Sequence, residues 1–166
     1  MRRRSTHHFP AWERPRWLLV LGGGPVGVEL AQAWASFGTD VTLIDLDPRL
    51  LAREEPFAAE QVEKSLRERF GVEVVTGAKT TKVSREGATV KLSLEDGREF
   101  EAEEILAATG RKPNSDDIGL DSVGVEANPF FRTDDRLRDR ARVWLYAIGQ
   151  VHGRALLPHV GKYQPW

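Results

Sequence analysis

A glycine-rich segment at residues 22–27 restricts the fold of this chain more than any other feature. It reads Gly-Gly-Gly-Pro-Val-Gly and satisfies the spacing G-x-G-x-x-G. A short apolar run, Trp17 to Leu21, stands directly before it and is typical of a buried parallel strand. Pro25 suits the first turn of a helix, because proline lacks an N–H that would be unsatisfied there. The segment therefore predicts a tight turn that joins a strand to a helix.

The residues after the glycines continue the alternation of helix and strand. Apolar residues at helical spacing end at Gly38, and a second apolar run, 41–44, ends at Asp45. A second amphipathic stretch ends at Gly71, and residues 72–75 form a third apolar run. This order and spacing predict a right-handed βαβαβ unit with a parallel sheet.

Beyond residue 77 the apolar period changes to strict alternation, which predicts antiparallel strands with one wet face. Three such strands are predicted, at 80–84, 89–95 and 98–102. Asp96-Gly97 is a strong hairpin signal between the last two. Further strands are predicted at 105–108 and 143–148. The predicted fold is α/β: a Rossmann-like parallel sheet with an inserted three-stranded antiparallel β-meander.

The composition excludes several kinds of chemistry. The chain of 166 residues has no cysteine, which rules out disulfides, cysteine zinc sites and thiol nucleophiles. Its formal charge is −1, so no global field attracts nucleic acid or an anionic membrane. No apolar run approaches the roughly 18 residues that a membrane helix needs. The four histidines lack acidic partners at ligand spacing, so no metal site is predicted, and the cytoplasm is the expected location.

Three parts are expected along the chain. Residues 1–16 hold five arginines without periodicity and are predicted to be a flexible basic arm. The alternative, which this charge leaves open, is that the arm binds phosphate. Residues 17–112 form the predicted parallel-sheet domain with its meander, and residues 113–166 form a separate segment.

The glycine turn predicts a site for the diphosphate of a dinucleotide. Gly22 would allow the tight turn, and Gly24 would let the backbone approach the phosphates. Gly27 would let the helix pack closely on the strand. The unpaired N–H groups at the start of the helix, around Pro25 and Val26, favour negative charge. A glycine-rich turn that binds nothing is the alternative.

Asp45 follows Gly22 by 23 residues, at the end of the second predicted strand. A carboxylate there can accept hydrogen bonds from an adenosine ribose and repels a 2′-phosphate. This favours NAD over NADP, although the cations of Arg49 and Arg53 keep NADP open. A solvated aspartate, or Asp47 in place of Asp45, are the alternatives.

Several segments in order resemble the FAD-dependent pyridine nucleotide-disulfide oxidoreductases. Residues 19–31 resemble the family's NAD(P)H-binding segment. Residues 108–114, Ala-Thr-Gly-Arg-Lys-Pro-Asn, resemble its A-T-G-R-x-P-N crossing from the NAD domain to the FAD domain. Residues 144–151 resemble its second FAD-binding segment. The resemblance implies a nicotinamide-binding domain that positions NAD(P)H for hydride transfer to FAD, followed in 113–166 by a remnant of the FAD domain.

The resemblance also assigns residues. The family's counterpart of Glu29 pairs with a lysine of the FAD domain that has no counterpart here, so Glu29 should be exposed and unpaired. The cofactor side of the crossing is implied to be lined by Thr109, Gly110 and Arg111. Gly149 and Gln150 stand where the family has Gly-Asp at the flavin ribityl chain. Because an amide lacks the charge of the aspartate, this chain alone is not expected to bind FAD tightly.

Two functions are therefore open. In the family, an FAD fingerprint and a Cys-x4-Cys dithiol precede this region and a dimerisation domain follows it, so the sequence resembles the middle of a flavoprotein. The first function is the nicotinamide-binding domain of such an oxidoreductase, expected to be inactive as this chain and carrying no catalytic residue. The second is a non-catalytic, truncated dinucleotide-binding module. The apolar run 143–148 is expected to form a homo-oligomer by pairing with another chain, or to fold back onto 17–112.

Overall fold

The computed structural model of the chain describes residues 13–110, 113, 115, 118–125, 130–140, 144–154 and 162–164. The chain divides into two units, Met1–Gly110 and Arg111–Trp166, and each is described by itself.

The first unit contains the regular elements that the sequence predicts. They are β1 (Trp17–Leu21), α1 (Pro25–Ser36), β2 (Asp40–Ile44), α2 (Pro56–Phe70), β3 (Glu73–Val75), β4 (Thr80–Glu86), β5 (Thr89–Leu94), β6 (Glu99–Ala102) and β7 (Glu104–Ala107). Four strands form a parallel sheet in the order β3-β2-β1-β7, and the other three form an antiparallel sheet in the order β4-β5-β6. The α/β fold with a three-stranded meander is confirmed. Neither α-helix in the described part of the chain is long and apolar enough to cross a membrane.

The central strand β1 is buried on both faces. Leu18 and Val20 lie in a core cluster with α1 residues such as Val28. Leu19 lies in a second cluster with Val90 and other residues of the meander. Because successive side chains of a strand point to opposite faces, one continuous apolar run can serve both clusters.

Residues 14–16 are attached to the first unit, although the sequence places them in a flexible arm. The Arg14 guanidinium donates a hydrogen bond to the carbonyl of Gly38. The Thr39 hydroxyl donates to the Pro15 carbonyl at 2.9 Å. The preceding part of the predicted arm, 1–12, lies outside the described residues.

The second unit differs from the expectation of a strand over 143–148. Val143 lies outside the described residues, and 144–148 form no strand, so the prediction was wrong for them. Tyr146 makes only an isolated antiparallel bridge with Arg138. A short apolar run becomes a strand only where a neighbour pairs along its length. Self-association through this segment stays a prediction.

Candidate functional site

The turn between β1 and α1 requires glycine at position 22. Gly22 has φ +113°, which side-chain-bearing residues rarely adopt. Its N–H donates to the carbonyl of Ile44 at 2.8 Å. A Cβ at this position would lie 2.6 Å from the carbonyl oxygen of Ala108. The turn is therefore pressed against the ends of both neighbouring strands, β2 and β7.

Gly27 brings the first turn of α1 onto the same segment. It is buried, and a Cβ there would overlap the carbonyl oxygen of Gly22. Only a residue without a side chain allows the helix to start this close to the strand. The close approach fits the packing roles expected of these two glycines, while a ligand-binding role stays a prediction.

Gly24, in contrast, faces open space. It is the N-cap of α1 with an ordinary extended backbone, φ −74° and ψ 179°. No atom lies within 4 Å of the position that its Cβ would take. The first hydrogen bond of the helix runs from Val28 N to Gly24 O at 3.0 Å, so the N–H groups of Val26 and Gly27 precede it. Helix N–H groups beside a space without side chains fit a diphosphate.

Asp45 lies directly beside the glycine turn. Its N–H donates to the Val75 carbonyl at 2.9 Å, and its carbonyl accepts the N–H of Ala78 at 2.8 Å. A Cβ on Gly23 would meet Oδ2 of Asp45. Our sequence reasoning missed Gly23, because the motif G-x-G-x-x-G leaves its position free. The signal available for it was the unbroken run of three glycines at 22–24.

The loop after β2 carries the alternative aspartate, Asp47, and the two arginines that kept NADP open. Asp47 is exposed, and its N–H lies 3.4 Å from Oδ1 of Asp45. The Arg49 guanidinium is bound to the carbonyls of Ala52 and Glu54. Arg53 is exposed, and no described residue forms an ion pair with it. Of the two cations that kept NADP open, only Arg53 is uncommitted.

The residues implied by the resemblance have separate locations. Glu29 is exposed, and none of the described residues pairs with its carboxylate. Thr109 and Gly110 are exposed after the end of β7, and the N–H of Thr109 adjoins the Gly22 turn. Arg111 lies outside the described residues. The carboxyl edge of the parallel sheet thus brings together Gly22, Gly24, Pro25, Val26, Gly27, Asp45 and Thr109.

Gly149 and Gln150 belong to the second unit. They begin a short 3-10 turn, Gly149–His152, and both are half-buried. The N–H of Gly149 donates to Oε1 of Gln164 at 2.6 Å. Within the described residues, no group of three histidine, aspartate or glutamate side chains could hold a metal ion.

A parallel sheet that carries a glycine turn and an acidic residue at its carboxyl edge defines a Rossmann-like α/β protein. Residues 4–164 match the family described as pyridine nucleotide-disulphide oxidoreductase, and the chain belongs to that family. Dihydrolipoyl dehydrogenase of Chlorobaculum tepidum is 40% identical over 152 residues, which cover 89% of this chain and 32% of that protein. The Pseudomonas aeruginosa enzyme is 34% identical over 157 residues, covering 93% and 33%.

Solved structures agree with this assignment. LpdA from Mycobacterium tuberculosis aligns with a TM-score of 0.83 and 30% identity, over 92% of this chain and 33% of that one. The HOCl-induced flavoprotein disulfide reductase RclA from Escherichia coli aligns with a TM-score of 0.82 and 28% identity, over 92% and 35%. The chain therefore spans about a third of the length of the relatives that it matches.

Proposed function

We propose that the first unit is the nicotinamide dinucleotide-binding part of a pyridine nucleotide-disulfide oxidoreductase, which holds NADH for hydride transfer to FAD. The observation that carries this proposal is the open space before the start of α1. Gly24 adds no side chain there, and the N–H groups of Val26 and Gly27 precede the first helical hydrogen bond. Family membership supports the assignment, since the fold places this edge where α/β proteins bind their ligands.

The diphosphate is held by the backbone in this proposal. The start of a helix stabilises a nearby anion by about 0.3–1 kcal/mol when exposed and by ~2 kcal/mol when partly buried. Pro25 contributes no N–H but fixes the backbone angle with which α1 begins. The phosphates therefore approach peptide groups whose positions are set by the packing of Gly22 and Gly27.

NAD is the proposed form of the cofactor. Asp45 presents a carboxylate that can accept hydrogen bonds from ribose hydroxyls and repels a 2′-phosphate. Arg49 is bound to backbone carbonyls, so its guanidinium is committed within the loop. Of the two loop arginines, Arg53 is the one for which the described residues offer no ion-pair partner, so it remains the cation available to NADP.

Glu29, Thr109 and Gly110 are proposed to lie towards the nicotinamide half, as the family resemblance implies. When bound, NADH supplies the hydride. The sequence has no cysteine, so this chain itself provides no dithiol to receive the electrons. Gln150 offers FAD a neutral amide rather than a carboxylate. We therefore propose that the chain alone binds FAD weakly and is catalytically inactive, which leaves dinucleotide binding as its own activity.

Calorimetric titration with NADH tests the proposal, using Gly24→Ala and Gly24→Val as a series of increasing side-chain size. We expect Gly24→Val to weaken NADH binding by about 30-fold, because its side chain keeps the phosphates away from the start of α1. The stabilisation lost in this way is about 2 kcal/mol. Its melting temperature should change little, because no atom lies within 4 Å of the position that the added Cβ takes. Gly22→Ala is the structural contrast and should lower the melting temperature. Wild-type chain that does not bind NADH, or Gly24→Val with unchanged affinity, would reject the assignment.

A further inference from the structure

The loop after β2 is closed by a backbone hydrogen bond, from the Glu54 N–H to the Leu51 carbonyl at 2.8 Å, and by the guanidinium of Arg49. Arg49 Nη1 donates to the Glu54 carbonyl at 3.1 Å. Arg49 Nη2 donates to the Ala52 carbonyl at 3.0 Å and to the Glu54 carbonyl at 3.2 Å. Both terminal nitrogens of the planar guanidinium are therefore used within residues 49–54. The arginine acts as a brace across this turn rather than as a free cation.

The braced turn is attached to the glycine segment. The N–H of Leu51 donates to the Gly23 carbonyl at 2.9 Å. Leu51 has φ +50°, which is uncommon for a residue with a side chain and persists only where its surroundings hold it. The neighbouring Leu50 is completely buried in the core. Arg49 thus braces a conformation that Leu51 would not favour in isolation.

The peptide of Gly23, to which the Leu51 N–H is bonded, also limits the space available to the Asp45 carboxylate. A Cβ at Gly23 would meet both Oδ2 of Asp45 and Cδ2 of Leu50. Asp45 therefore occupies the space where a Gly23 side chain would be, and the Gly23 carbonyl accepts the Leu51 N–H. A shift of the 49–54 turn would move this peptide and change the space available to the carboxylate.

We propose that Arg49 is a positioning residue of the adenosine ribose site. It holds the 49–54 turn against Gly23, and this keeps Asp45 in place to recognise the 2′-hydroxyl. The inference rests on the proposed binding of a nicotinamide dinucleotide. It assigns Arg49 to selectivity at the ribose without direct contact to the ligand.

The ratio of two dissociation constants tests this role. Affinities for NADH and for its 2′-deoxyadenosine analogue are measured with wild type, Arg49→Ala, Asp45→Ala and Arg53→Ala. We expect wild type to prefer NADH by about tenfold, as one hydrogen bond to a charged group provides. Asp45→Ala should abolish the preference, and Arg49→Ala should reduce it to about twofold. Arg53→Ala removes the same charge from the same loop without removing the brace, so its ratio should match wild type.

A purely structural loss would weaken both ligands equally and leave the ratio unchanged, so a wild-type ratio in Arg49→Ala overturns the inference. An equal drop in Arg53→Ala also overturns it, because charge would then explain the effect. If Arg49→Ala fails to fold by its melting curve, Arg49→Lys replaces it, since an ammonium group keeps the charge but lacks the planar fork that binds both carbonyls. A wild-type ratio in Arg49→Lys contradicts the proposal. Failure of the proposed function itself is distinguishable, because wild type would then bind neither dinucleotide.

Discussion

The two units of the chain are stabilised in different ways. In the first, a four-stranded parallel sheet separates clusters of eleven and eight buried apolar residues. In the second, the described residues contain one buried cluster of three, Val125, Phe131 and Ala147, together with short turns and isolated bridges. Its turns are linked by polar side chains, such as Arg154, which donates to the Thr133 carbonyl at 2.7 Å. The comparison indicates that apolar burial organises the first unit, while polar contacts have a larger share in the second.

Truncation of a core residue in each unit should have the largest effect on stability, and each effect should stay within its own unit. Leu43 is fully buried in the centre of the first unit, so Leu43→Ala should cost about 2–5 kcal/mol of its unfolding free energy. Phe131→Ala should cost about 3 kcal/mol, the low end for such a change, since its small cluster can collapse around the gap. Amide hydrogen exchange measures each unit separately. Equal acceleration of exchange in both units by either substitution would show that they unfold as one and would remove the contrast.

Each unit contains a buried threonine, and the two hydroxyls differ in their hydrogen bonding. Thr39 and Thr133 are 4% and 5% exposed. The Thr39 hydroxyl donates to Pro15, whereas that of Thr133 has no hydrogen-bond partner in the described part of the chain. Thr39→Val should therefore destabilise the first unit by about 1 kcal/mol, and Thr133→Val should leave the second unit unchanged or stabilise it by up to ~1 kcal/mol. Denaturant titration of both variants gives the two signs, and destabilisation by Thr133→Val would contradict the prediction.

The regular elements of the first unit were predictable because each has a local cause. Burial on both faces makes β1 a continuous apolar run, and Gly71 ends α2 in the left-handed conformation. The glycine turn at 22–27 and its separation from Asp45 along the chain were predictable for the same reason. Residues 144–148 show the limit of such reasoning, since their pattern suits a strand but pairing depends on a neighbour elsewhere in the structure.

The parts of the site that we missed depend on how distant segments meet. Gly23 matters because residues 45 and 50 come to lie against it, and no local pattern indicates that approach. In the sequence, Arg49 was one of two cations that kept NADP open, and its bonds to the carbonyls of Ala52 and Glu54 appear only once the loop has turned back. The conformation of residues 49–54 therefore determines that Arg49 is the committed cation of the two.

The smallest expected effect is on the pH dependence of stability, through one aspartate in a turn of each unit. Asp134 accepts hydrogen bonds from the N–H groups of Arg136 and Arg138, both at 2.9 Å. The bond from the Arg138 backbone, followed by that from its guanidinium, lowers the pKa of Asp134 below its usual range. In the meander, the Arg98 side chain likewise lowers the pKa of Asp96. A carboxyl group whose folded pKa is lowered stabilises the fold above its ordinary pKa, about 4, and loses this contribution as the pH falls through the folded value.

Asp134→Asn should therefore remove part of the acid sensitivity of the second unit, and Asp96→Asn should do the same only in the first. Asp96 is exposed and Asp134 is half-buried, so solvent screening keeps each change small. Amide exchange of residues 134–139 between pH 5 and about pH 2 measures the effect, because this range extends from above the ordinary pKa of an aspartate to well below it. If Asp134→Asn leaves the pH dependence of these amides unchanged, the carboxylate does not hold the turn. The described part of the second unit would then depend on its buried apolar residues, such as the cluster of Val125, Phe131 and Ala147, more than its polar contacts indicate.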